Sequence, residues 1–267
     1  WFMEGTAVWM EHQVYPGTRD FLQYLPVSAI AQPGVPVDKF DDYEYHQYGA
    51  FVFWEYLSER FGRKAVRDVW QRAAVHRESN PYSLQAARRE VAAHGQDFTS
   101  FFAGFARWNT LPAHSYAMHN AYAARVRPPW GLTHTFSRSR PRMAARQTTL
   151  KHLSSSNVRF RPAPTLGRKA RLRILLDLPN RSHGPAATVQ VHHQDGSVGW
   201  RRVRLSRTGA ARATVPFNPR KVRDVVVVLS NTSTRMVSCS TTSGTYSCGG
   251  HGAYDSNQAY RISAWLR

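Results

Sequence analysis

The chain has 267 residues and a formal net charge of +19; 42% of its residues are hydrophobic and 12% are aromatic. This length and composition exclude a disordered or fibrous chain and allow two domains, each with its own core. The longest strongly apolar run, Val225 to Leu229, has the length of a strand and is far shorter than a membrane-spanning helix.

Charge is distributed unevenly along the chain. Residues 1–110 carry 13 acidic and 11 basic side chains, whereas residues 111–267 carry 4 and 25. Such asymmetry indicates either arginine-biased composition in an exported protein or a part that binds an anionic cell-wall polymer or membrane surface. Zinc-finger, basic-heptad and RNP-like patterns are absent from the sequence, so no specific nucleic-acid partner is predicted.

The first half of the sequence predicts helices. Apolar residues recur at helical spacing in five segments: Trp1–Val14, YEYHQYGAFVFWEYLSERFG, Arg63–His76, Ser83–Ala93 and Asp97–Trp108. The aromatic stripe of the last segment, from Phe98 to Trp108, predicts a core-facing surface. A looped, Pro- and Gly-rich segment, PVSAIAQPGVPVDKFDD, separates the first two helices.

The second half predicts strands. Residues 149–267 contain about seven short runs of period-two pattern, typical of an antiparallel β-sandwich. The predicted class is therefore α+β, with a helical domain at 1–125, a linker at 126–148 and a β-sandwich domain at 149–267. Gln194-Asp195-Gly196 predicts a hairpin turn, and the adjacent His192 and His193 are predicted to face solvent.

The two cysteines, Cys239 and Cys248, flank Ser243-Gly244 at a separation that a hairpin disulfide can span. A disulfide predicts an exported protein, whereas two free thiols would indicate the cytosol. No CxxC spacing supports a cysteine-based zinc site. We expect the disulfide.

Glu4 and Glu11 lie seven residues apart in the first predicted helix and therefore on the same face. Two acidic residues near a helix N-terminus are also stabilised by the helix dipole when exposed to water. The surrounding residues are mostly apolar and aromatic, however, and a partly buried carboxylate needs a partner such as a metal, a base or backbone donors. The residues alone leave both interpretations open.

The opening segment WFMEGTAVWME resembles the W-x-x-E-G-x-A/T-x-x-x-E segment of gluzincin metallopeptidases of the leukotriene-hydrolase and aminopeptidase group. Trp1, Glu4, Gly5, Ala7 and Glu11 have the same offsets. The next strong helix resembles the tyrosine-containing helix of that fold. The whole chain is similar to a family of secreted bacterial neutral metalloproteases, which implies a location outside the cell or in the cell envelope.

The resemblance implies roles for individual residues. Glu4 would be a zinc ligand beside the two histidines of an HExxH helix, and Glu11 would orient one of those histidines. Zinc would polarise the scissile carbonyl and lower the pKa of its bound water to roughly 7. Tyr45, His46 and Tyr48 are candidates for stabilising the oxyanion. The group has a tyrosine three residues before the glycine, where this chain has His46, so the choice among the three stays open.

None of the 12 histidines belongs to an HExxH motif. Because the family places this motif ahead of the glutamate segment, we expect it upstream of Trp1 in a longer protein, and we expect this chain to be inactive alone. The leading hypothesis is the C-terminal portion of a secreted zinc metallopeptidase acting on peptides or proteins. One alternative is a non-catalytic cell-surface or adhesion protein whose basic sandwich binds an anionic polymer or glycan. The other is an unrelated protein with an accidental match.

Overall fold

The computed structural model describes residues 1–41, 43–74, 83–117, 122, 126–235 and 254–267. The helices within these ranges are α1 Phe2–Val14, α2 His46–Gly49, α3 Phe51–Phe61, α4 Arg63–Ala73, α5 Ser83–Ala93, α6 Phe98–Trp108 and α7 Pro112–Ser115, with short 3₁₀ helices at Asp20–Val27 and Arg181–His183. The strands are β1 Leu132–Phe136, β2 Arg142–Leu150, β3 Ser154–Pro162, β4 Arg171–Asp177, β5 Pro185–His193, β6 Val198–Arg202, β7 Ala210–Pro216, β8 Val222–Asn231 and β9 Gln258–Leu266. The predicted α+β class, with helices followed by a β-sandwich, is confirmed.

The helical half is built around α3. Its side chains are buried along most of the helix, including Trp54, which is fully buried. The predicted aromatic stripe of α6 packs against it: Phe101, Phe102 and Phe105 are all buried in the same core. Burial of these large side chains supplies the hydrophobic driving force for this half of the molecule.

Helix α1 lies close against α3 at Gly5. A Cβ added there would lie 2.9 Å from Trp54 Nε1 and 3.1 Å from Ala50 Cβ, closer than packed atoms tolerate. The indole of Trp1 stacks on that of Trp54, with ring centroids 5.2 Å apart. The glycine after Glu4 therefore has a packing role, because it allows α1 to lie directly on the tryptophan.

Two sheets form the sandwich. Sheet A has the strand order β1-β3-β8-β5-β6, and sheet B has the order β2-β9-β4-β7. The β1–β3 pair is parallel and the other pairs are antiparallel. The predicted turn at 194–196 joins β5 and β6, and Gly196 adopts a φ of 87° there.

Strand β8 is buried on both faces. Val225 and Val227 point into the core between the sheets, whereas Val226 and Val228 pack against Ala106 of α6. Sheet A therefore lies between sheet B and the helical half, which explains why β8 is a continuous apolar run instead of an alternating one.

Polar contacts join the two halves beside this packing. The carboxylate of Asp38 lies 2.8 Å from His152 Nε2, and both side chains are fully buried. The amide of Val37 donates to the Leu153 carbonyl at 3.1 Å, next to that pair. The loop before α2 is thereby attached to the start of β3.

The structure differs from the sequence expectation in the segment 126–148, which was predicted to be a linker. It contains all of β1 and most of β2. Each of these is an edge strand, and few of its side chains are buried. Their polar, Arg-rich composition is typical of edge strands and hides the period-two pattern that marks a half-buried strand.

The expectation that His192 faces solvent is wrong. Its side chain is only 2% exposed, and Nδ1 lies 2.6 Å from Oδ1 of Asp224 on the neighbouring strand. His193, on the opposite face, is half-buried. His192 lies on the face of sheet A that the helical half partly covers, a burial that no local pattern indicates.

The predicted Cys239–Cys248 disulfide lies outside the described residues and stays a prediction. Among the described residues, none of the helices combines the length and the hydropathy needed to cross a bilayer.

The close approach at Gly5 predicts the effect of Gly5→Ala. Alanine is the better helix former by about 1 kcal/mol, but its methyl group would overlap Trp54. We expect the free energy of unfolding in urea to fall by about 1–3 kcal/mol. Gly17→Ala is the control, since a Cβ there meets nothing within 4 Å, and it should change stability by less than about 0.5 kcal/mol. A Gly5→Ala variant as stable as the parent would contradict the packing described.

Candidate functional site

The candidate site lies on one side of α1, where Glu4 and Glu11 occur. Glu4 is half-buried in the first turn, and Glu11 is exposed two turns later. The charges of both carboxylates act on Tyr24, in the 3₁₀ helix Asp20–Val27. The two glutamates thus lie on the same side of α1, as their spacing predicts.

Tyr48 of α2 lies beside Glu4. The negative charge of Glu4 raises the pKa of the Tyr48 phenol, with smaller contributions from desolvation and from hydrogen bonding to the same carboxylate. The Tyr48 hydroxyl is therefore protonated at neutral pH and lies close enough to the carboxylate for the charge of Glu4 to act on it. A half-buried carboxylate beside a phenolic donor can bind a cation on one side while the hydroxyl donates to an oxygen.

Two further tyrosines extend this site. Tyr24 stacks on Tyr48, with ring centroids 5.0 Å apart and an interplanar angle of 16°. Tyr45, which precedes α2 with a φ of 58°, is 54% exposed and lies 5.9 Å from Tyr48 between centroids. Desolvation is the largest cause of a raised pKa at Tyr24, followed by the charge of Asp20. Tyr24 was not anticipated, because nothing in its local sequence shows that the 3₁₀ helix lies against α2.

The backbone around α2 explains this juxtaposition. A Cβ at Gly49 would lie 2.5 Å from the Val27 carbonyl oxygen, so α2 contacts the end of the 3₁₀ helix without an intervening side chain. Tyr24 and Tyr48, each within one turn of this contact, are thereby brought face to face.

His46 occupies a different environment from Tyr48. Its ring is 5% exposed; Nδ1 lies 2.9 Å from the Val27 carbonyl and Nε2 lies 3.2 Å from a Glu44 carboxylate oxygen. Both ring nitrogens therefore have partners within the protein. Among the three predicted oxyanion donors, Tyr48 is the one that the structure places beside Glu4.

His46 also belongs to a group that sequence reasoning did not assign to a metal. One ligand atom from each of Asp41, Glu44 and His46 falls within 4.8 Å of the others. The ammonium of Lys39 already lies 2.9 Å from Glu44 and 3.2 Å from Asp41, and it lowers the pKa of the Glu44 carboxyl. Desolvation would raise the pKa of Asp41, but the Glu44 backbone amide and the Lys39 ammonium together hold it below its ordinary value. This group is an ion-pair cluster with a cation already in place.

The donor set around Glu4 does not by itself form a zinc site. Among the described residues, Glu4 belongs to no group of three histidine, cysteine or acidic side chains with converging ligand atoms. Structural and catalytic zinc sites use at least three protein ligands. On this side of α1 the described chain offers the carboxylates of Glu4 and Glu11, of which the resemblance makes Glu4 the zinc ligand.

A second pair of acidic residues lies on α3. Glu55 is 7% exposed; desolvation, followed by the nearby charge of Glu59, raises the pKa of its carboxyl to about 7. Burial also raises the pKa of Glu59, which accepts the Ala117 amide at 2.9 Å. Gln13 Nε2 lies 3.4 Å from Glu55 and links the pair to α1. The pattern of α3 predicts a helix, but it does not show that these two polar positions face inward.

Neither a family model nor a curated protein matches the chain. Solved structures that resemble it include a Yersinia pseudotuberculosis-derived mitogen, at 12% identity over 47% of this chain and 86% of that chain, with a TM-score of 0.28. CorA, a surface-associated copper-binding protein of Methylomicrobium album BG8, is 8% identical over 51% of this chain and 98% of its own, with a TM-score of 0.26. A family GH115 4-O-methyl-α-glucuronidase is 10% identical over 83% of this chain and 30% of its own, with a TM-score of 0.24. Likeness at this level supports no functional argument.

The Glu4–Tyr48 contact predicts a measurable coupling. Glu4→Gln removes the negative charge that opposes phenol ionisation, so the pKa of Tyr48 should fall towards its ordinary value. Titration of ¹³Cζ-tyrosine resonances by NMR, assigned with Tyr48→Phe, measures this pKa. Glu11→Gln is the control: it should lower the pKa of Tyr24 and leave that of Tyr48 unchanged. If the pKa of Tyr48 is the same in Glu4→Gln as in the parent, the Glu4 carboxylate does not lie close to the Tyr48 phenol.

The buried Glu55 predicts a pH-dependent stability. Its carboxyl ionises near pH 4.5 in the unfolded chain and near 7 in the folded one, so folding loses stability as pH rises from about 4.5 to about 7. The free energy of unfolding of Glu55→Gln, relative to that of the parent, should therefore rise by up to about 3 kcal/mol across this pH window. Above the window the difference should stay constant.

Urea unfolding at several pH values measures the difference between the two proteins. Glu44→Gln provides the contrast, because Lys39 lowers the pKa of that exposed carboxyl, and its effect should have the opposite sign. A constant difference between Glu55→Gln and the parent from pH 4 to pH 8 would argue against the burial described for Glu55.

Proposed function

We propose that this chain is the C-terminal portion of an exported, cell-envelope or extracellular zinc metallopeptidase that hydrolyses peptide or protein substrates. The observation that carries the proposal is the position of Glu4, half-buried at the start of α1, where its charge acts on the Tyr48 phenol. The segment that resembles the gluzincin glutamate segment thus presents its glutamate next to a phenolic donor. A zinc ligand and an oxyanion donor must be neighbours in such an enzyme.

The residues of this chain have distinct roles in the proposal. Glu4 supplies one carboxylate ligand, and Glu11, on the same side of α1, orients a histidine from outside this sequence. Tyr48 donates a hydrogen bond to a substrate oxygen, and the stacked Tyr24 fixes its ring. Tyr45 and His46 are the weaker candidates, because Tyr45 lies further out and His46 is occupied by Val27 and Glu44.

Because the histidine ligands and the general base have no counterpart in the sequence, we expect the chain alone to lack peptidase activity. The proposal therefore concerns the product of the complete gene. We also expect that product to be exported, in line with the predicted Cys239–Cys248 disulfide.

Metal analysis of the complete gene product tests the role of Glu4. We expect about one zinc per chain, with most of it lost in Glu4→Gln, together with cleavage of casein. Glu44→Gln is the matched control, since it makes the same substitution in the cluster of Asp41, Glu44 and His46. Retention of zinc and cleavage in Glu4→Gln would refute this role, and loss only in Glu44→Gln would assign the metal to that cluster.

A second candidate function belongs to the sandwich. Residues 111–267 carry 25 basic and 4 acidic side chains, and three of those four acids pair with a histidine or arginine within the protein, namely Asp177, Asp224 and Asp255. Most of the arginine charge is therefore uncompensated. We propose that this half binds an anionic cell-wall polymer or glycan, either as an accessory to the peptidase or as the principal function of a non-catalytic protein.

A further inference from the structure

Two adjoining cavities lie at one edge of the sandwich, away from the Glu4 site. The first has a volume of about 480 Å³ and is lined by Arg140, Arg142, Arg146 and His134, among others. The second has a volume of about 500 Å³ and is lined by Trp265 and Ser263, among others. Both include Arg142, Met143 and Ala144 in their walls, so the two cavities adjoin along β2, and together they are here called the edge groove.

The strand arrangement produces the edge groove. Strand β1 is the edge of sheet A and β2 is the edge of sheet B, and the turn between them brings the two edges together. The pairing of β2 with β9 shifts register between Met143 and Arg146, leaving an extra residue on β2. Such a bulge bends the edge strand and opens space beside it.

The charge in the edge groove is uncompensated. Among the residues that the structure describes, its lining contains three arginines and no acidic residue. Within the described part of the chain, the guanidinium groups of Arg140, Arg142 and Arg146 make no ion pair or hydrogen bond. Desolvation, followed by the charges of Arg140 and Arg146, lowers the pKa of His134, which lines the same cavity as these two arginines. Like charges held together without a counter-charge favour an anionic ligand.

The second half of the groove has an aromatic wall. Trp265 is half-buried on the outer face of sheet B, with Arg142 and Arg173 directly across from it on the two neighbouring strands. The Arg173 guanidinium carbon lies 5.7 Å from the centroid of the indole. An indole beside guanidinium groups can stack on a sugar ring while the arginines bind acidic substituents.

The sandwich has another basic cleft, which serves as a comparison. It has a volume of about 510 Å³ and is lined by Arg181, Arg202 and Arg204, but also by Asp97. The carboxylate of Asp97 lies 3.8 Å from Arg202 and also caps α6. No aromatic side chain from the described ranges lines this cleft. It therefore differs from the edge groove both in containing an acidic residue and in lacking an aromatic wall.

We propose that the edge groove binds an anionic polysaccharide, with Arg140, Arg142 and Arg146 holding its acidic groups and Trp265 stacked on a sugar ring. This inference rests on the second proposed function, polymer binding by the sandwich, and gives it a site. Single-stranded nucleic acid is a poorer fit, because proteins that bind it stack successive bases on several aromatic side chains and the groove has one.

Isothermal titration with dextran sulfate tests the proposal, with uncharged dextran as the matched ligand control. We expect Arg142→Gln/Arg146→Gln to weaken dextran sulfate binding by about tenfold or more at low ionic strength. The same substitutions should make the dependence of affinity on salt shallower by about 1–2 units of logarithmic slope. Since neither guanidinium has a partner among the described residues, the variant should fold normally, which circular dichroism and the thermal midpoint verify.

Arg181→Gln/Arg204→Gln is the control variant. It removes the same charge from the comparison cleft, and we expect it to change affinity by less than about twofold, because screened long-range attraction is all that it loses. Trp265→Leu should weaken binding with little change in the salt slope, because stacking carries no charge. Trp200→Leu, at an exposed position on sheet A, should leave binding unchanged.

The possible results distinguish a failure of the polymer-binding function from a failure of the edge groove as its site. If the parent protein does not bind dextran sulfate at low ionic strength, the polymer-binding function itself fails. If it binds and the two arginine pairs weaken binding equally, the function stands and the edge groove is refuted as its site. Tighter binding of oligo(dT) than of dextran sulfate, lost in Trp265→Leu, would make the ligand a nucleic acid. Equal binding of polygalacturonate and dextran sulfate would assign recognition to charge shared by carboxylated and sulfated sugars, as the proposal expects.

Discussion

The candidate site depends on how closely α1 can lie on α3. At Gly5 the α1 backbone rests directly on the Trp54 indole, and any side chain there would force the two helices apart. The residue before it, Glu4, is held beside Tyr48 as a result, since α2 and α3 are separated by Ala50 alone. The fully buried Trp54 therefore fixes a carboxylate that is only half-buried itself. A rigid core that positions a polar group at its margin is the usual way in which proteins build a site.

The helical half could be predicted from sequence because its signals are local. Apolar spacing located α1 and α3–α6, and the aromatic stripe at Phe98–Trp108 correctly indicated a buried face. What could not be predicted depends on residues distant in sequence. Tyr24 meets Tyr48 because a 3₁₀ helix crosses α2 at Gly49, and Glu55 is buried because α1 covers it. Neither contact produces a periodic pattern in the sequence from which it could be predicted.

The sandwich illustrates the same limit in two ways. Strands β1 and β2 were missed because edge strands keep their polar side chains on the surface, and Arg-rich sequence there resembles a linker. His192 was placed in solvent because strand alternation shows only that a face exists, not that a helix from another part of the chain packs against it. For the candidate site, the sequence indicated Glu4 by resemblance and left Tyr45, His46 and Tyr48 open as its partners. In the structure, Tyr48 is the one on which the charge of Glu4 acts most strongly.

The two halves divide the chemistry of the molecule. The helical half is nearly neutral in net charge and presents acidic and phenolic groups, whereas the sandwich presents arginines around clefts. We infer that the first contributes to peptide hydrolysis and the second to retention on an anionic polymer.

Anomalous diffraction at the zinc edge from crystals of the complete gene product tests the proposed role of Glu4 most directly. It predicts a zinc ion about 2.0–2.2 Å from a Glu4 carboxylate oxygen, with the Tyr48 hydroxyl on the same side of the metal. Zinc bound among Asp41, Glu44 and His46, or no zinc at Glu4, would contradict it.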